Sequence, residues 1–379
     1  MGSSIFTMIR AQEPTILQDL KKKMVLLSGP RQVGKSWLAR QAMKGFSAPL
    51  YLNWDNPQDR AIIDNQGWPG KTDLLVFDEI HKRNDWKNYL KGVWDTRSEH
   101  QSILVTGSAR LETFRQSGDS LAGRFYHHRL FPVTPAEAAQ SGERRSLEHH
   151  LTRGGFPEPF LATNDKEASR WRRQYLDGLI REDILTFENI HQLKAMNLLV
   201  ELLRQRVASP LSYQSLAEDL ALSPNTVRHY IEILEALYIV FRVFPHHRSI
   251  ARSLLQQPKL YFFDTGLVKG EGQSLENLVA LSLYRQSCLE EESDGIPRAL
   301  RYLRTKEGRE VDFVLTKDDE PVLMVEVKAQ DRDLAPGLKY FGDRYAIPGV
   351  QLVADLRLEF DVGGYPIRRL LDWLEGLGG

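Results

Sequence analysis

One octapeptide near the amino end restricts the fold more than any other feature of this sequence. Residues 29–36 read GPRQVGKS and match G-x4-G-K-[ST], directly after the apolar run 24–27 and before a helix-compatible segment. In such a loop backbone N–H groups surround phosphate oxygens, the lysine reaches the outer phosphates, and the hydroxyl joins a magnesium ion. The segment therefore predicts a loop that binds ATP and Mg²⁺. The predicted nucleotide-binding residues are Gly29, Pro30, Arg31, Gln32, Val33, Gly34, Lys35, Ser36 and Trp37.

An acidic pair follows a second apolar run. Residues 74–77 are Leu-Leu-Val-Phe and lead into Asp78 and Glu79. Open α/β sheets bind ligands at the carboxyl ends of their strands, so both carboxylates are expected beside the phosphate loop. Asp78 would hold Mg²⁺ together with Ser36, and Glu79 would orient and deprotonate the attacking water. We therefore predict Lys35 and Glu79 as catalytic residues, and Ser36 and Asp78 as metal ligands.

Two more residues are candidates for catalysis. The apolar run 103–106 leads to Ser108, at the place where an ATPase often has a γ-phosphate sensor, although Ser108 is equally suited to forming a turn. Arg124 follows this strand and would act as an arginine finger toward a neighbouring subunit. A surface arginine without a catalytic role is the alternative, and Arg153 and Arg181 are weaker candidates for the finger.

The order of apolar and amphipathic segments predicts an α/β fold class. Short apolar runs alternate with polar, helix-compatible stretches from residue 24 to about 131, which is typical of buried strands in a parallel sheet. After Pro135, long amphipathic patterns at 171–185 and 193–207 predict a helical lid. The final third returns to mixed α/β. The predicted strands are 24–27, 50–52, 74–77, 103–106, 238–244, 260–263, 311–315 and 323–327, with a further β segment around Tyr302.

Composition limits the partners and the compartment. The 379 residues include 50 Lys and Arg against 50 Asp and Glu, so any nucleic-acid surface has to be local. Cys288 is the only cysteine, which excludes an intramolecular disulfide and fits the reducing cytoplasm. No apolar run approaches the ~20 residues that cross a bilayer. We expect a cytoplasmic protein of two or three domains without a membrane partner.

A helix-turn-helix pattern lies at residues 212–237. Residues 212–220 predict a first helix, 221–224 a turn, and 225–237 a second helix. The second helix would bury one apolar stripe and present polar residues near its start, which is where a recognition helix contacts DNA. Glu232 and Glu235 argue against DNA, because carboxylates repel phosphates, and a structural or protein-docking role is the alternative. Basic residues downstream would suit a wing along phosphates, namely Arg242, His246, His247, Arg248, Arg252 and Lys259. The predicted DNA-binding residues are Asn225, Thr226, Arg228, His229, Arg248 and Arg252.

Two predicted strands near the carboxyl end carry a D…E-x-K pattern. Asp312 lies in the first strand, and Glu326 and Lys328 lie on one face of the second. Metal-dependent phosphodiester cleavage requires two carboxylates that hold Mg²⁺ and a lysine that positions water. Glu276, on a preceding helix, would add a further ligand. A fold of this kind that only binds DNA or a neighbouring protein is the alternative to this possible nuclease site.

Together these motifs resemble the bacterial and archaeal AAA+ ATPases that carry a C-terminal domain of unknown function 4143. The resemblance extends over about residues 20–365 and is carried by residues 29–36, 78–79, 106–108, 120–124, 154–158 (GGFPE) and 259–266 (KLYFFDTG). It implies an α/β P-loop AAA+ parallel sheet with a helical lid, then a winged helix-turn-helix and a PD-(D/E)xK restriction-endonuclease-like α/β domain in which Asp312, Glu326 and Lys328 match. It also implies a homo-oligomeric ring. The implied domains are a 1–140 ATPase core, a 141–205 lid, a 206–265 winged helix and a 266–379 restriction-endonuclease-like domain.

Three functions are compatible with these features. The leading hypothesis is an oligomeric AAA+ ATPase that engages DNA and uses hydrolysis to remodel or move along a duplex, fork or branched junction. The second is an ATP-regulated, metal-dependent nuclease. The third is a nucleotide switch that binds a protein partner, and the balanced total charge favours it slightly.

Overall fold

The chain folds into two compact units, Ile9–Phe131 and the part that begins at Pro132. The computed structural model describes residues 8–107, 121–184, 193–246, 257–330 and 333–378. Among the helices in these ranges, none combines the length and the apolar character that a bilayer crossing requires.

The first unit contains a five-stranded parallel sheet, as the apolar runs predicted. Its strands are β1 (Met24–Ser28), β2 (Pro49–Asn53), β3 (Leu74–Asp78), β4 (Ser102–Thr106) and β5 (Phe125–Arg129). They lie in the order β2-β3-β4-β1-β5. Every residue of β1 and β3 is buried, which explains their continuous hydrophobic sequences. Because a parallel sheet brings the carboxyl ends of its strands to one edge, Ser28, Asp78 and Thr106 share that edge.

Helices connect these strands, and apolar side chains from both fill the core of this unit. The helices are α1 (Glu13–Asp19), α2 (Lys35–Ala42), α3 (Pro57–Asn65) and α4 (Trp86–Thr96), with short 3₁₀ turns at Met43–Gly45 and Ile80–Lys82. Helix α3 begins at a proline after Asn56, whose side chain accepts a hydrogen bond from the Gln58 backbone N–H. Leu75, Phe77 and Ile103 from the sheet pack with residues of α3 and α4 in one buried cluster.

The second unit begins with helices, as predicted for the residues after Pro135. They are α5 (Pro135–Gln140), α6 (Leu147–Arg153), α7 (Pro157–Leu161), α8 (Asp165–Gly178), a π-helical turn at Leu179–Ile184 and α9 (Leu193–Arg204). Helix α5 starts with a capping box, because the Thr134 hydroxyl accepts from the Glu137 backbone N–H and the Glu137 carboxylate accepts from the Thr134 N–H. The helical region is confirmed, and its boundaries as a lid stay a prediction.

The helix-turn-helix is present at the predicted position. Helix α10 (Tyr213–Leu220) ends where Ala221 adopts a left-handed conformation, and α11 (Pro224–Ala236) begins after Ser223, whose hydroxyl accepts from the Thr226 N–H. Val227, Ile231 and Leu234 form the buried stripe of α11.

The strands after the helix-turn-helix belong to one large sheet with those of the carboxyl end. The strands are β6 (Val240–Pro245), β7 (Lys259–Phe262), β8 (Arg298–Arg304), β9 (Glu310–Lys317), β10 (Glu320–Lys328), β11 (Gly349–Val353), β12 (Phe360–Val362) and β13 (Tyr365–Arg369). This eight-stranded sheet has the order β12-β13-β11-β10-β9-β8-β6-β7. Helices α12 (Glu271–Asp294), α13 (Pro336–Tyr345) and α14 (Leu370–Glu375) complete the unit. Strands β6 and β7 thus extend the C-terminal sheet, because β6 pairs in parallel with β8. The classification as a winged helix and a nuclease-like domain stays a prediction.

Candidate functional site

The loop between β1 and α2 has the backbone shape that its glycines predicted. Gly29 has φ +141° and Gly34 has φ +100°, which are conformations that side chains disfavour. A β carbon on Gly29 would also overlap the Leu130 carbonyl oxygen. Gln32 adopts φ +59° without being glycine. Val33, which is also a predicted nucleotide-binding residue, is fully buried.

Lys35 is held inside this loop by backbone oxygens. Its Nζ donates to the Gly29 carbonyl oxygen at 3.0 Å and to the Pro30 carbonyl oxygen at 2.6 Å, and the residue is only 8% exposed. Burial lowers the pKa of Lys35 to about 8, although Glu79 and Asp78 act in the opposite direction. An ammonium with so little water around it binds a phosphate oxygen without much further desolvation cost.

Asp78 lies at the end of β3 and accepts hydrogen bonds from three hydroxyl groups. The Ser36 hydroxyl donates to Oδ2 at 2.8 Å, the Thr106 hydroxyl donates to Oδ1 at 2.5 Å, and the Tyr51 hydroxyl also donates to Oδ2. The predicted metal ligands Ser36 and Asp78 are therefore neighbours. Their oxygen atoms are the type of ligand that Mg²⁺ prefers, so the residues present fit this ion.

Tyr51 and Thr106 were not predicted as parts of this site. Thr106 lies directly opposite Asp78 in the pairing of β3 with β4, so the register of a parallel sheet would have identified it. Tyr51 lies two residues before the end of β2, and sequence carries no comparable signal for it. Both side chains orient the Asp78 carboxylate, which is the role that outer partners of a metal ligand usually have.

Glu79 follows Asp78 in a strained conformation and points toward the cleft. Its φ is +59°, which is uncommon for a residue with a side chain. Burial raises the pKa of Glu79, and the nearby Lys82 ammonium lowers it. Lys82 Nζ lies 3.3 Å from Glu79 Oε2 and 2.5 Å from Asp55 Oδ2. A cavity of about 450 Å³ is lined by Arg31, Gln32, Gly34, Lys35, Ser36, Trp37, Glu79 and Lys82. The sequence did not identify Lys82 as part of this site.

The two remaining candidates for catalysis have different outcomes. Ser108 lies outside the described residues. Arg124 is half-buried directly before β5, and its Nε lies 2.9 Å from Asp95 Oδ1 of α4. Because a partly exposed pair of this kind is weak, the catalytic role of Arg124 stays a prediction.

Four of the predicted DNA-binding residues lie at the start of α11, namely Asn225, Thr226, Arg228 and His229. Asn225 and Arg228 are exposed, and the Arg228 guanidinium lies 5.0 Å from the centre of the Tyr213 ring. Arg242 was suggested as a wing residue, but its Nε donates to Glu235 Oε1 at 2.8 Å. This contact also neutralises one of the two carboxylates that argue against DNA. Arg248 and Arg252 lie outside the described residues, as does His247.

The D…E-x-K residues lie close together on adjacent strands. Asp312 Oδ2 on β9 accepts from the Val327 N–H at 2.9 Å, and the Asp312 N–H donates to Glu326 Oε2 at 3.3 Å. Lys328 Nζ donates to Glu326 Oε1 at 2.7 Å. Burial, followed by repulsion from Asp312, raises the pKa of Glu326 to about 7. Glu276 on α12 accepts from the Tyr261 hydroxyl at 2.7 Å, and burial and Asp312 raise its pKa to about 7 as well.

The suggestion that Lys259 lies in a wing along phosphates is wrong. Lys259 is 1% exposed, and its Nζ lies 2.6 Å from Glu310, 3.1 Å from Glu276 and 3.7 Å from Asp312. Burial alone would lower the pKa of Lys259, but the three carboxylates together raise it. The strand β7 turns this side chain inward, and a count of basic residues along the sequence could not show that.

Comparison with known families divides the chain into three segments. Residues 21–139 match an AAA domain, residues 144–271 match a domain of unknown function (DUF8612), and residues 271–357 match the domain of unknown function 4143. The chain therefore combines an AAA domain with a C-terminal domain of unknown function 4143. The resemblance that the motifs indicated is confirmed.

Similar proteins come from bacteria and archaea. An uncharacterized protein of Mycobacterium tuberculosis is 26% identical over 308 residues, which cover 79% of this chain and 68% of that protein. An uncharacterized protein of Methanocaldococcus jannaschii is 25% identical over 342 residues, with 81% and 75% covered. Among solved structures, a Walker-type ATPase of Pyrococcus abyssi is 14% identical with a TM-score of 0.45, over 69% of this chain and 95% of that one.

Proposed function

We propose that this chain binds ATP with Mg²⁺ and hydrolyses it. The match of residues 21–139 to an AAA domain supports this proposal. The observation that carries this proposal is the position of Asp78, 2.8 Å from Ser36 at the start of α2 and directly before Glu79. These are the groups that a metal-bound triphosphate and an attacking water require, and Ser36 and Glu79 line one cavity together with the phosphate loop.

Each residue has a distinct task in this reaction. The backbone N–H groups of the loop and the amino end of α2 bind the phosphate oxygens. The Lys35 ammonium exchanges its two carbonyl partners for the outer phosphates. Glu79 accepts a proton from the attacking water, and its raised pKa makes the carboxylate a stronger base. Ser36 and Asp78 would hold the magnesium ion, which would supply positive charge against the phosphates.

Replacement of single residues tests this assignment. Lys35→Ala should lose ATP binding in calorimetry and lose turnover, whereas Lys44→Ala, an exposed lysine just after α2, should keep both. Glu79→Gln should keep ATP binding and lose turnover by about 100-fold or more, as general-base catalysis contributes 10²–10⁴. Full hydrolysis by Lys35→Ala would refute the site.

We further propose that the active form is a homo-oligomer in which Arg124 completes the neighbouring site. Light scattering of Glu79→Gln with ATP should then give a molar mass above that of one chain. Arg124→Ala and Lys35→Ala should each be inactive alone. A mixture of the two should regain turnover, because the second supplies an intact arginine to the nucleotide of the first. A mixture that stays inactive would remove this part of the proposal.

DNA is the partner that we propose for the helix-turn-helix, in a protein that acts in the cytoplasm. The support is the exposed start of α11 with Asn225 and Arg228, together with the neutralisation of Glu235 by Arg242. Fluorescence anisotropy with duplex, single-stranded and four-way-junction DNA tests it. Log affinity should fall with log salt by ~0.9 for each neutralised phosphate.

A charge reversal locates the DNA surface. Arg228→Glu should weaken binding and reduce the salt slope, whereas Lys194→Glu, on an exposed position of α9, should change neither. Binding that is absent, or equally weakened by both variants, would contradict the assignment. Turnover that is indifferent to DNA, together with one stoichiometric protein in a pull-down, would favour the nucleotide switch instead.

A further inference from the structure

A buried ammonium lies among the carboxylates of the possible nuclease site. We propose that Lys259 is the permanent counter-ion of this cluster and takes the position that a divalent metal ion would need. The cluster here means Glu276, Glu310, Asp312 and Glu326. On this proposal the C-terminal domain holds no divalent metal and does not cleave phosphodiester bonds.

The distances place the ammonium where three carboxylates converge. Lys259 Nζ lies 2.6 Å from Glu310 Oε1, 3.1 Å from Glu276 Oε1 and 3.7 Å from Asp312 Oδ1. A magnesium ion takes carboxylate oxygens at about 2.0–2.1 Å, so an ion bound among Glu276, Glu310 and Asp312 would have to occupy nearly the same point as the nitrogen atom. A metal ion and a protonated lysine also repel each other, which makes the two occupants exclusive.

Burial and strand pairing hold the ammonium in this position. Lys259 belongs to β7, where its backbone pairs with Val243 of β6, and the residue is 1% exposed. Its Nζ also lies 5.5 Å from the centre of the Tyr302 ring. Withdrawal from the carboxylates would leave a charge in a buried environment without its partners, which proteins avoid. Metal binding would therefore have to compete with an occupant that the fold itself holds in place.

Other carboxylate oxygens of the cluster are engaged by protein groups as well. Asp312 Oδ2 accepts from the Val327 N–H at 2.9 Å, and Glu326 accepts from Lys328 at 2.7 Å and from the Asp312 N–H at 3.3 Å. Arg304 adds a further cation, 3.5 Å from Glu310 Oε2. The residues that resemble a cleavage site thus form a network in which lysine, arginine and backbone nitrogen atoms contact the carboxylates that a metal ion would need.

Manganese binding by the full-length protein without nucleotide tests this proposal. Electron paramagnetic resonance reports free Mn²⁺, so bound ion appears as a loss of signal. The wild type and Asp312→Asn should bind the same amount, because the cluster holds no ion in either. Lys259→Met should gain one Mn²⁺ per chain, and Lys259→Met/Asp312→Asn should lose it again. Lys317→Met, an exposed lysine of β9, is the matched control and should gain none.

Two outcomes of the manganese measurement would overturn the proposal. One is a wild type that binds Mn²⁺ at a site abolished by Asp312→Asn, and the other is a folded Lys259→Met that gains no site. If circular dichroism shows that Lys259→Met does not fold, the comparison of wild type with Asp312→Asn decides alone. Plasmid DNA incubated with the wild type and Mn²⁺ should stay intact, and nicking that Asp312→Asn abolishes would also refute the proposal. ATP hydrolysis is a separate readout, so its failure would not affect this test.

Discussion

The ion pair between Arg172 and Asp264 is buried in the second unit, and its removal should be strongly destabilising. The two side chains are only 10% and 3% exposed, and Arg172 Nε donates to Asp264 Oδ2 at 2.6 Å. Arg172 Nη2 also donates to the carbonyl oxygens of Thr152 at 3.1 Å and Arg153 at 3.2 Å. Asp264 Oδ1 accepts from the Gly266 N–H at 3.0 Å. Asp264→Ala would therefore leave a guanidinium charge and a backbone N–H buried without the carboxylate.

The magnitude follows from these contacts. Removal of one member of a buried ion pair costs ~3–5 kcal/mol, because the other charge stays buried. The lost hydrogen bond to the backbone adds ~1 kcal/mol. We expect Asp264→Ala to lower the free energy of unfolding by roughly 4–6 kcal/mol, which is as large as the whole stability of many domains. Arg172→Met/Asp264→Leu should cost less than Asp264→Ala, because no unpaired charge remains.

Urea denaturation followed by circular dichroism measures this difference. Asp177→Ala, at an exposed position of α8, is the matched control and should change stability by at most ~0.5 kcal/mol. ATP affinity measured on the same preparations separates a structural role from a role in the nucleotide site. A loss below ~1 kcal/mol for Asp264→Ala, or a double variant that is less stable than the single one, would refute the reasoning.

Three more predictions concern the nucleotide site. Gly29→Ala should abolish ATP binding, because a β carbon there would overlap a backbone carbonyl oxygen; calorimetry showing wild-type affinity would contradict this. Tyr51→Phe should raise the Mg²⁺ concentration for half-maximal ATPase rate by about tenfold, because Asp78 loses an orienting hydroxyl. An unchanged Mg²⁺ dependence would argue against an orienting role of Tyr51. Lys82→Met should move the acid limb of the ATPase pH profile to higher pH, because burial raises the pKa of Glu79 and Lys82 opposes that effect; an unmoved limb would exclude this coupling.

The nucleotide site was predictable because its signals are local. The eight residues of the loop are continuous, and the strand that carries Asp78 and Glu79 is a plain apolar run. Strand β5 was missed because it lies at a sheet edge, with the polar sequence FYHHR and only one buried residue. Edge strands lack the continuous hydrophobic pattern that identifies central ones.

The family motifs at 154–158 and 259–266 identify relatives. The structure explains why each of the two motifs contains a glycine. A β carbon on Gly154 would overlap Asp264 Oδ1, and one on Gly266 would overlap the Arg172 guanidinium. Both glycines therefore make room for the same buried ion pair. The sequence could not show this, because Arg172 is far from either motif and its charge is ordinary for an amphipathic helix.

Lys259 shows why the C-terminal site could not be judged from its acids alone. A D…E-x-K search counts the carboxylates that a metal ion would need, but it does not count the cations that the fold brings to them. Lys259 reaches Glu276 and Glu310 only because β7, α12 and β9 pack together in the second unit. In sequence it follows a series of basic residues, a pattern that predicts a phosphate contact. The effect of this positive charge depends on its surroundings. On an exposed surface a lysine would attract DNA. Buried among carboxylates, the same ammonium neutralises the charges that would otherwise bind a metal ion.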